Sequence, residues 1–158
     1  MHIHDMAEIV FRETYRNILS AEQIDYMMDW MYSPSSLKRQ MEEGHAYYIA
    51  WSDDRACAYV SIQREGLSDD GYELFHLQKI YILPSHQGCG LGRQLFDTAV
   101  SHARSESKGM KARIELNVNR KNPAVGFYKN LGMEICREGD FHIGEGYYMN
   151  DYIMGIDI

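Results

Sequence analysis

The sequence has few of the residues that mark several common classes of protein. Its three cysteines (Cys57, Cys89 and Cys136) are an odd number without Cys-x-x-Cys spacing, which argues against a disulfide framework and a zinc site. Basic residues are in the minority, with 16 Lys and Arg against 23 Asp and Glu and a formal charge of -7. We therefore expect no binding to the phosphate backbone of nucleic acids.

Long apolar segments are also missing. No apolar run approaches the roughly 20 residues of a membrane span. The N-terminus lacks the basic-then-apolar pattern of a signal peptide. These absences predict a protein of the reducing cytoplasm, without a membrane partner.

The residues that are present suit one domain. A chain of 158 residues with 45% hydrophobic residues can close one sizeable core, so we expect a single domain over residues 1–158. Apolar side chains recur at helical spacing through the first 44 residues. The pattern predicts one helix up to Leu19, a second after a Ser20 cap, and a third from Ser33-Pro34 to Gly44.

From Ala46 onwards the pattern changes to strands. Alternating residues on either side of the turn 52–55 predict an antiparallel hairpin. The next strand, Phe75–Leu83, carries apolar groups on both faces and is expected in the middle of the sheet. The remaining predicted elements are a helix over Leu91–Ser107, a strand around Ile114–Val118, a helix from Asn122-Pro123 to Gly132, and strands around Met133–Cys136 and Tyr148–Ile156.

A glycine-rich segment joins the predicted central strand to the long helix. It reads Gln87-Gly88-Cys89-Gly90-Leu91-Gly92, and glycines at such a position let backbone N–H groups turn toward a pyrophosphate. The segment lacks the Lys-Ser/Thr of a Walker loop, and its glycine spacing is not that of a dinucleotide fingerprint, so ATP and NAD are poorer candidates. The glycines alone are equally compatible with a plain tight turn.

A second block follows the loop at a characteristic distance, with Asn122-Pro123-Ala124 leading to Phe127-Tyr128 and Leu131-Gly132. Together with Lys79–Pro84 and the Gln-x-x-Gly-x-Gly of the loop, it closely resembles the GNAT superfamily of acyl-CoA-dependent N-acyltransferases over about residues 45–156. The resemblance implies an α/β (α+β) GNAT fold. Such a fold has a mixed, mostly antiparallel twisted sheet of about six strands, flanked by helices and splayed between two central parallel strands.

The same resemblance implies acetyl-CoA as cosubstrate and a primary amine as acceptor, with direct transfer in a ternary complex. It places the main chain of Ile80 and Ile82 against the pantetheine arm, with the Ile82 N–H at the oxyanion. The loop residues expected to hold the pyrophosphate are Gln87, Gly88, Cys89, Gly90, Leu91 and Gly92. Asn122 is expected to hold the cofactor arm. Tyr128 stands where the family places the acid for the departing thiolate, a mildly uphill transfer from a phenol of pKa about 10 to a thiol of about 8.5.

The sequence does not single out the base that deprotonates the amine. An alkyl amine with a pKa of about 10.4 arrives as ammonium at neutral pH. The candidates are His76, Glu73, Glu115 and a water held by Gln78. Each also suits an ordinary structural residue, and a base acting through ordered water needs no single side chain.

The acceptor region is indicated by less specific signals. The Met- and aromatic-rich segment 26–32 suits either helix packing or the flexible wall of a substrate pocket. The tail 144–152 and the region 15–33 resemble bacterial GNAT members related to spermidine/spermine acetyltransferases, which implies a small, polyamine-like amine. The candidate substrate-binding residues are Trp30, Tyr32 and Asp151. Asp151 is interpreted either as a partner for a second ammonium or as a surface or turn residue.

Other arrangements remain open at this point. A non-catalytic acyl-CoA sensor and an acetyltransferase acting on a protein or peptide amine are the alternative functions.

His2 and His4 lack the further ligands of a metal site, so no metal is expected. GNAT members usually begin with a strand, which nothing before Ile3 can form. We expect a truncated start or a sheet without that strand, and an unpaired edge that favours a homodimer.

Overall fold

The computed structural model describes residues 2–158. Met1, which the apolar pattern of the sequence predicts to lie in the first helix, is outside this range. The helices are α1 (His2–Tyr15), α2 (Ala21–Tyr32), α3 (Pro34–Glu42), α4 (Leu91–Ser107) and α5 (Ala124–Asn130). The strands are β1 (Ala46–Ser52), β2 (Arg55–Leu67), β3 (Glu73–Ile82), β4 (Ala112–Asn119), β5 (Glu134–Gly144) and β6 (Tyr147–Asp157). Among the described residues, no helix is long and apolar enough to cross a membrane.

Local capping fixes the N-terminal helices where the sequence predicts them. The Ser20 hydroxyl accepts a hydrogen bond from the Gln23 N–H at 3.1 Å, and the Ser33 hydroxyl accepts one from the Ser36 N–H at 3.2 Å. The first helix ends at Tyr15, earlier than the predicted Leu19, because the N–H groups of residues 18 and 19 both donate to the Tyr15 carbonyl in a turn.

The sheet has six strands in the order β1-β2-β3-β4-β6-β5. Every neighbouring pair is antiparallel except β3 and β4, which are parallel. This arrangement confirms the predicted mixed, mostly antiparallel sheet, with β3 and β4 at its centre. In the part of the chain that the structure describes, β1 and β5 form the two edges.

The two central strands stop pairing with each other halfway along their length. They pair only over Glu73–His76 and Ala112–Glu115. The pairing of β3 with β2 skips Gln78, which makes that residue a β-bulge two residues after the last β3–β4 pair. A bulge bends a strand and increases its twist. Beyond it β3 stays with β2 up to Ile82 while β4 stays with β6 up to Asn119, so the sheet opens between them.

The sheet separates two hydrophobic cores. One lies under α4 and α5 and includes Phe75, Leu116 and Tyr128. The other lies under α1, α2 and α3 and is rich in aromatic and methionine side chains, including Phe11 and Tyr32. With helices covering both faces, the opening between β3 and β4 becomes a cleft rather than a gap in a flat sheet.

Candidate active site

A cavity of about 550 Å³ fills the opening between the parted halves of β3 and β4. The second half of β3 forms one wall and residues 116–118 of β4 form the other. The end of α1 and the start of α5 complete the lining. The volume is within the range of small-molecule sites in proteins.

Main-chain groups of β3 point into this cavity. The Leu83 N–H donates to the Cys57 carbonyl on β2 at 2.9 Å. Successive peptide groups of a strand point in opposite directions, so the N–H and C=O of Ile82, and of Ile80 two residues earlier, point away from β2. Both isoleucines line the cavity, where β4 is too far away to pair with them.

The glycine-rich loop lies at the end of the same strand. Gly88 and Gly90 have φ angles of 79° and 83°, the left-handed conformation that glycine adopts at little cost. Gly90 is the N-cap of α4 and provides no side-chain cap. The first N–H groups of a 17-residue helix are therefore available to an anion at the positive end of the helix dipole.

Two side chains hold this loop in place. The Gln87 side-chain amide donates to the Ile82 carbonyl at 3.1 Å, which ties the loop to the end of β3. The exposed Cys89 thiol donates to the His86 carbonyl at 2.8 Å. Within residues 2–158 no cluster of three or more His, Cys, Asp or Glu side chains is arranged to hold a metal ion.

Gly92 allows α4 to approach α5 closely. A Cβ atom at this position would lie 2.7 Å from Cζ of Phe127 and 3.4 Å from Cδ1 of Ile82. Open amides for a diphosphate, an apolar cleft beside them and inward-facing peptide groups along β3 together fit coenzyme A. The residues that would hold it are the loop amides, Ile80, Ile82 and Phe127.

Tyr128 lies on α5 and lines the same cavity. Its side chain is almost completely buried, and burial raises the pKa of its phenol above the usual value. The phenol is therefore uncharged and able to donate a hydrogen bond across the whole physiological pH range. Asn122 also lines the cavity; its side-chain oxygen accepts a hydrogen bond from the Ala124 N–H at 2.9 Å and so shapes the start of α5.

Three of the four candidates for the base do not line the cavity. His76 and Glu115 form the last β3–β4 pair, at the closed end of the opening, and neither lines the cavity. The His76 ring lies 3.0 Å from the Glu65 carboxylate, and Glu115 accepts a hydrogen bond from Arg137 at 2.9 Å. Glu73 is likewise paired with Arg64, at 2.6 Å. The structure does not bring these three side chains together with Tyr128; of the base candidates only Gln78 lines the cavity.

The candidate substrate residues are scattered. Trp30 is exposed, and it does not line the cavity. Tyr32 is fully buried and accepts a hydrogen bond from the Tyr59 hydroxyl at 2.8 Å, so it is a core residue. Asp151 is 1% exposed, which excludes the surface or turn interpretation. It lies next to the cavity wall, where it accepts a hydrogen bond from the Asn117 amide at 3.3 Å.

The end of α1 contributes residues that the sequence did not indicate. Tyr15 lines the cavity, with its hydroxyl 3.4 Å from the Tyr81 hydroxyl and accepting a hydrogen bond from Asn122 at 3.4 Å. Of the acidic residues that the structure describes, Glu13 is the one that lines the cavity. Helical periodicity explains Tyr15 as a core residue and Glu13 as a solvent residue, so no local signal marks either for a site.

Residues 6–133 match the sequence profile of the acetyltransferase (GNAT) family, and the chain belongs to this family. Among curated proteins, the peptidyl-lysine N-acetyltransferase YjaB of Escherichia coli (strain K12) is 38% identical over 61 residues. The matched stretch is 38% of this chain and 36% of YjaB, about a third of that protein's length. The spermidine/spermine branch is not confirmed by this relative.

Solved structures share the fold. The PaiA N-acetyltransferase from Thermoplasma acidophilum, in complex with coenzyme A, superposes with a TM-score of 0.75 at 20% identity, covering 99% of this chain and 91% of that one. Arabidopsis thaliana Naa50, in complex with the bisubstrate analogue CoA-Ac-MVNAL, gives a TM-score of 0.63 at 16% identity, covering 94% and 90%. The predicted GNAT fold is confirmed.

Proposed function

We propose that this protein transfers the acetyl group of acetyl-CoA to a primary amine by direct attack in a ternary complex. One observation carries the proposal: inward-facing main-chain groups of Ile80 and Ile82, the uncapped N-terminus of α4 and Tyr128 all border one opening in the sheet. Family membership and the coenzyme A bound by the PaiA structure support acetyl-CoA as the cosubstrate.

Each group of the chain has a defined task in this reaction. The cosubstrate supplies a thioester, whose carbonyl carbon the amine attacks. The Ile82 N–H donates to the carbonyl oxygen as negative charge develops on it, and a donor already fixed in position stabilises that charge more than mobile water does. Tyr128 donates its proton to the departing sulfur. Burial makes this phenol a weaker acid, so proton donation has to be coupled to the gain of a proton from the amine as the C–N bond forms.

The acceptor should carry a positive charge before it reacts, as an ammonium does. The formal charge of -7 and the Glu13 carboxylate on the cavity wall both attract an ammonium. A small polyamine-like amine meets this requirement and is our first candidate. The side chain of a peptidyl lysine has the same aminoalkyl end, and the similarity to YjaB favours it as the second candidate.

An amine panel distinguishes these possibilities. Release of the free thiol from acetyl-CoA is measured with spermidine, putrescine, short monoamines and lysine-containing peptides, at the same concentrations and pH. Turnover that is highest with free di- and polyamines supports the first candidate, and turnover with peptides alone supports the second. Tight binding of acetyl-CoA without turnover on any amine would contradict the proposal and favour an acyl-CoA sensor.

A further inference from the structure

A second, very small cavity lies behind the wall of the large one. Its volume is about 10 Å³, which is the space of about one water molecule. Its lining includes Asp151, Tyr15, Gln23, Asn119 and Tyr148. Tyr15 lines both cavities, so the two are neighbours that share a wall residue.

Asp151 is an unusual carboxylate in this position. It is 1% exposed, and its Oδ1 atom is buried without a hydrogen-bond partner among the described residues. Its Oδ2 accepts a hydrogen bond from Asn117, which lines the large cavity. A buried carboxylate oxygen without a donor is costly, and such an atom is normally satisfied by water or a ligand.

The topology of the sheet places Asp151 on the face that α1 and α2 cover. Asp151 pairs with Asn119 across β4 and β6, and Asn117 lies two residues earlier on β4. Side chains two residues apart lie on the same face of a strand. Asn117, Asn119 and Asp151 therefore share the face that is covered by α1 and α2, the face on which Tyr15 lies.

We propose that Asp151 accepts the proton of the acceptor ammonium through one water molecule held in the small cavity. The ammonium N–H bond breaks, the water takes this proton and passes one of its own to Oδ1, and the freed lone pair attacks the thioester carbon. The second proton leaves the nitrogen as the C–N bond forms and the C–S bond breaks, and it reaches the sulfur by way of Tyr128. Asp151 then releases its proton to solvent.

The surroundings of Asp151 suit this role. Burial raises the pKa of its carboxyl, which makes the carboxylate a better base than a solvated one, and the Asn117 hydrogen bond limits the rise. Arg120 and His76 also lower the Asp151 pKa, through their charges rather than through a hydrogen bond. The other titratable groups that line the small cavity with it are the phenols of Tyr15 and Tyr148.

The inference rests on the proposed function, and the test separates the two. With the best amine of the panel, kcat is measured between pH 5 and pH 9 for the wild-type protein and Asp151→Asn. We expect a loss of at least about 100-fold in kcat, disappearance of the acidic limb of the pH profile, and an unchanged Kd for acetyl-CoA. Asp157→Asn, on the same strand but at the surface beside Arg113, is the matched control and should retain kcat.

A second variant probes Asp151 without replacing it. Asn117→Ala removes the hydrogen bond that lowers the Asp151 pKa, so the acidic limb should move to higher pH, which a purely structural role of Asp151 cannot produce. Two results would overturn the inference while leaving acetyl transfer intact. One is an acidic limb in Asn117→Ala at the same pH as in the wild-type protein. The other is an Asp151→Asn variant that keeps this limb and has a kcat within about threefold of wild type. An inert wild-type protein would instead overturn the proposed function, and the inference with it.

Discussion

The buried Lys79 makes the stability of this protein depend on pH in a direction that can be measured. Its side chain is 7% exposed. The ammonium donates to Oε1 of Gln40 at 2.7 Å, to the Met31 carbonyl at 3.4 Å and to the Tyr47 hydroxyl, and it lies 4.5 Å from the centre of the Tyr32 ring. These partners are all neutral, and within residues 2–158 no carboxylate pairs with Lys79. Burial therefore lowers its pKa to about 7.

The sign and size of the effect follow from this shift. Between pH 7 and about pH 10.5 the unfolded chain binds a proton at Lys79 that the folded chain does not, so the free energy of unfolding rises with pH across this window. Each pH unit contributes up to about 1.4 kcal/mol. Because the folded-state group is half protonated near pH 7, we expect the Lys79 contribution to change by about 2 kcal/mol between pH 7 and pH 9.

Urea unfolding followed by circular dichroism measures this difference. The wild-type protein and Lys79→Met are compared at pH 7 and at pH 9, so that contributions of other titrating groups cancel in the double difference. The wild-type protein should gain about 2 kcal/mol relative to the variant on going to pH 9. Equal pH dependence in the two proteins would refute the reasoning and would mean that Lys79 keeps an ordinary pKa when buried.

Further outcomes concern the candidate site. In Gly92→Val the new Cβ would lie 2.7 Å from Phe127. The affinity for acetyl-CoA, measured by calorimetry, should therefore fall by about tenfold or more. Gly126→Ala, whose Cβ meets no atom within 4 Å, should leave this affinity unchanged. Tyr128→Phe should lower kcat by about 100-fold at constant acetyl-CoA affinity, and full turnover would remove the phenol from the reaction. Glu115→Gln should keep kcat within about threefold, and a larger loss would identify Glu115 as the base.

Much of the fold follows from local signals in the sequence. The helix over Leu91–Ser107 was predicted at its observed bounds, because glycines precede it and an amphipathic pattern fills it. The Ser20 and Ser33 caps were also confirmed. Strand β5 is longer than the predicted Met133–Cys136 and runs over Glu134–Gly144. Its side chains are mostly exposed at the edge of the sheet, so the apolar alternation that reveals a strand is missing there.

The site was predictable only in its local part. The loop, Ile80 and Tyr128 belong to recognisable blocks of sequence, and Gln87 and Gly92 of the loop line one cavity together with Ile80 and Tyr128. Which candidate base lines the cavity was not predictable in this way, because a strand pattern does not reveal where β3 and β4 separate. The bulge at Gln78 sets that point and leaves His76 on the closed side of it. The position of Tyr15 on the cavity wall depends on packing between residues far apart in the chain, which no local pattern encodes.

Amide hydrogen exchange with and without acetyl-CoA tests the central claim most directly, because the claim is that main-chain N–H groups between β3 and α4 hold the cosubstrate. Saturating acetyl-CoA should slow exchange at Ile80 and Ile82 and across Gly88–Gly92, with little change at the edge strand β5. Unchanged exchange at these amides in a protein that binds acetyl-CoA, with protection appearing elsewhere, would contradict the account.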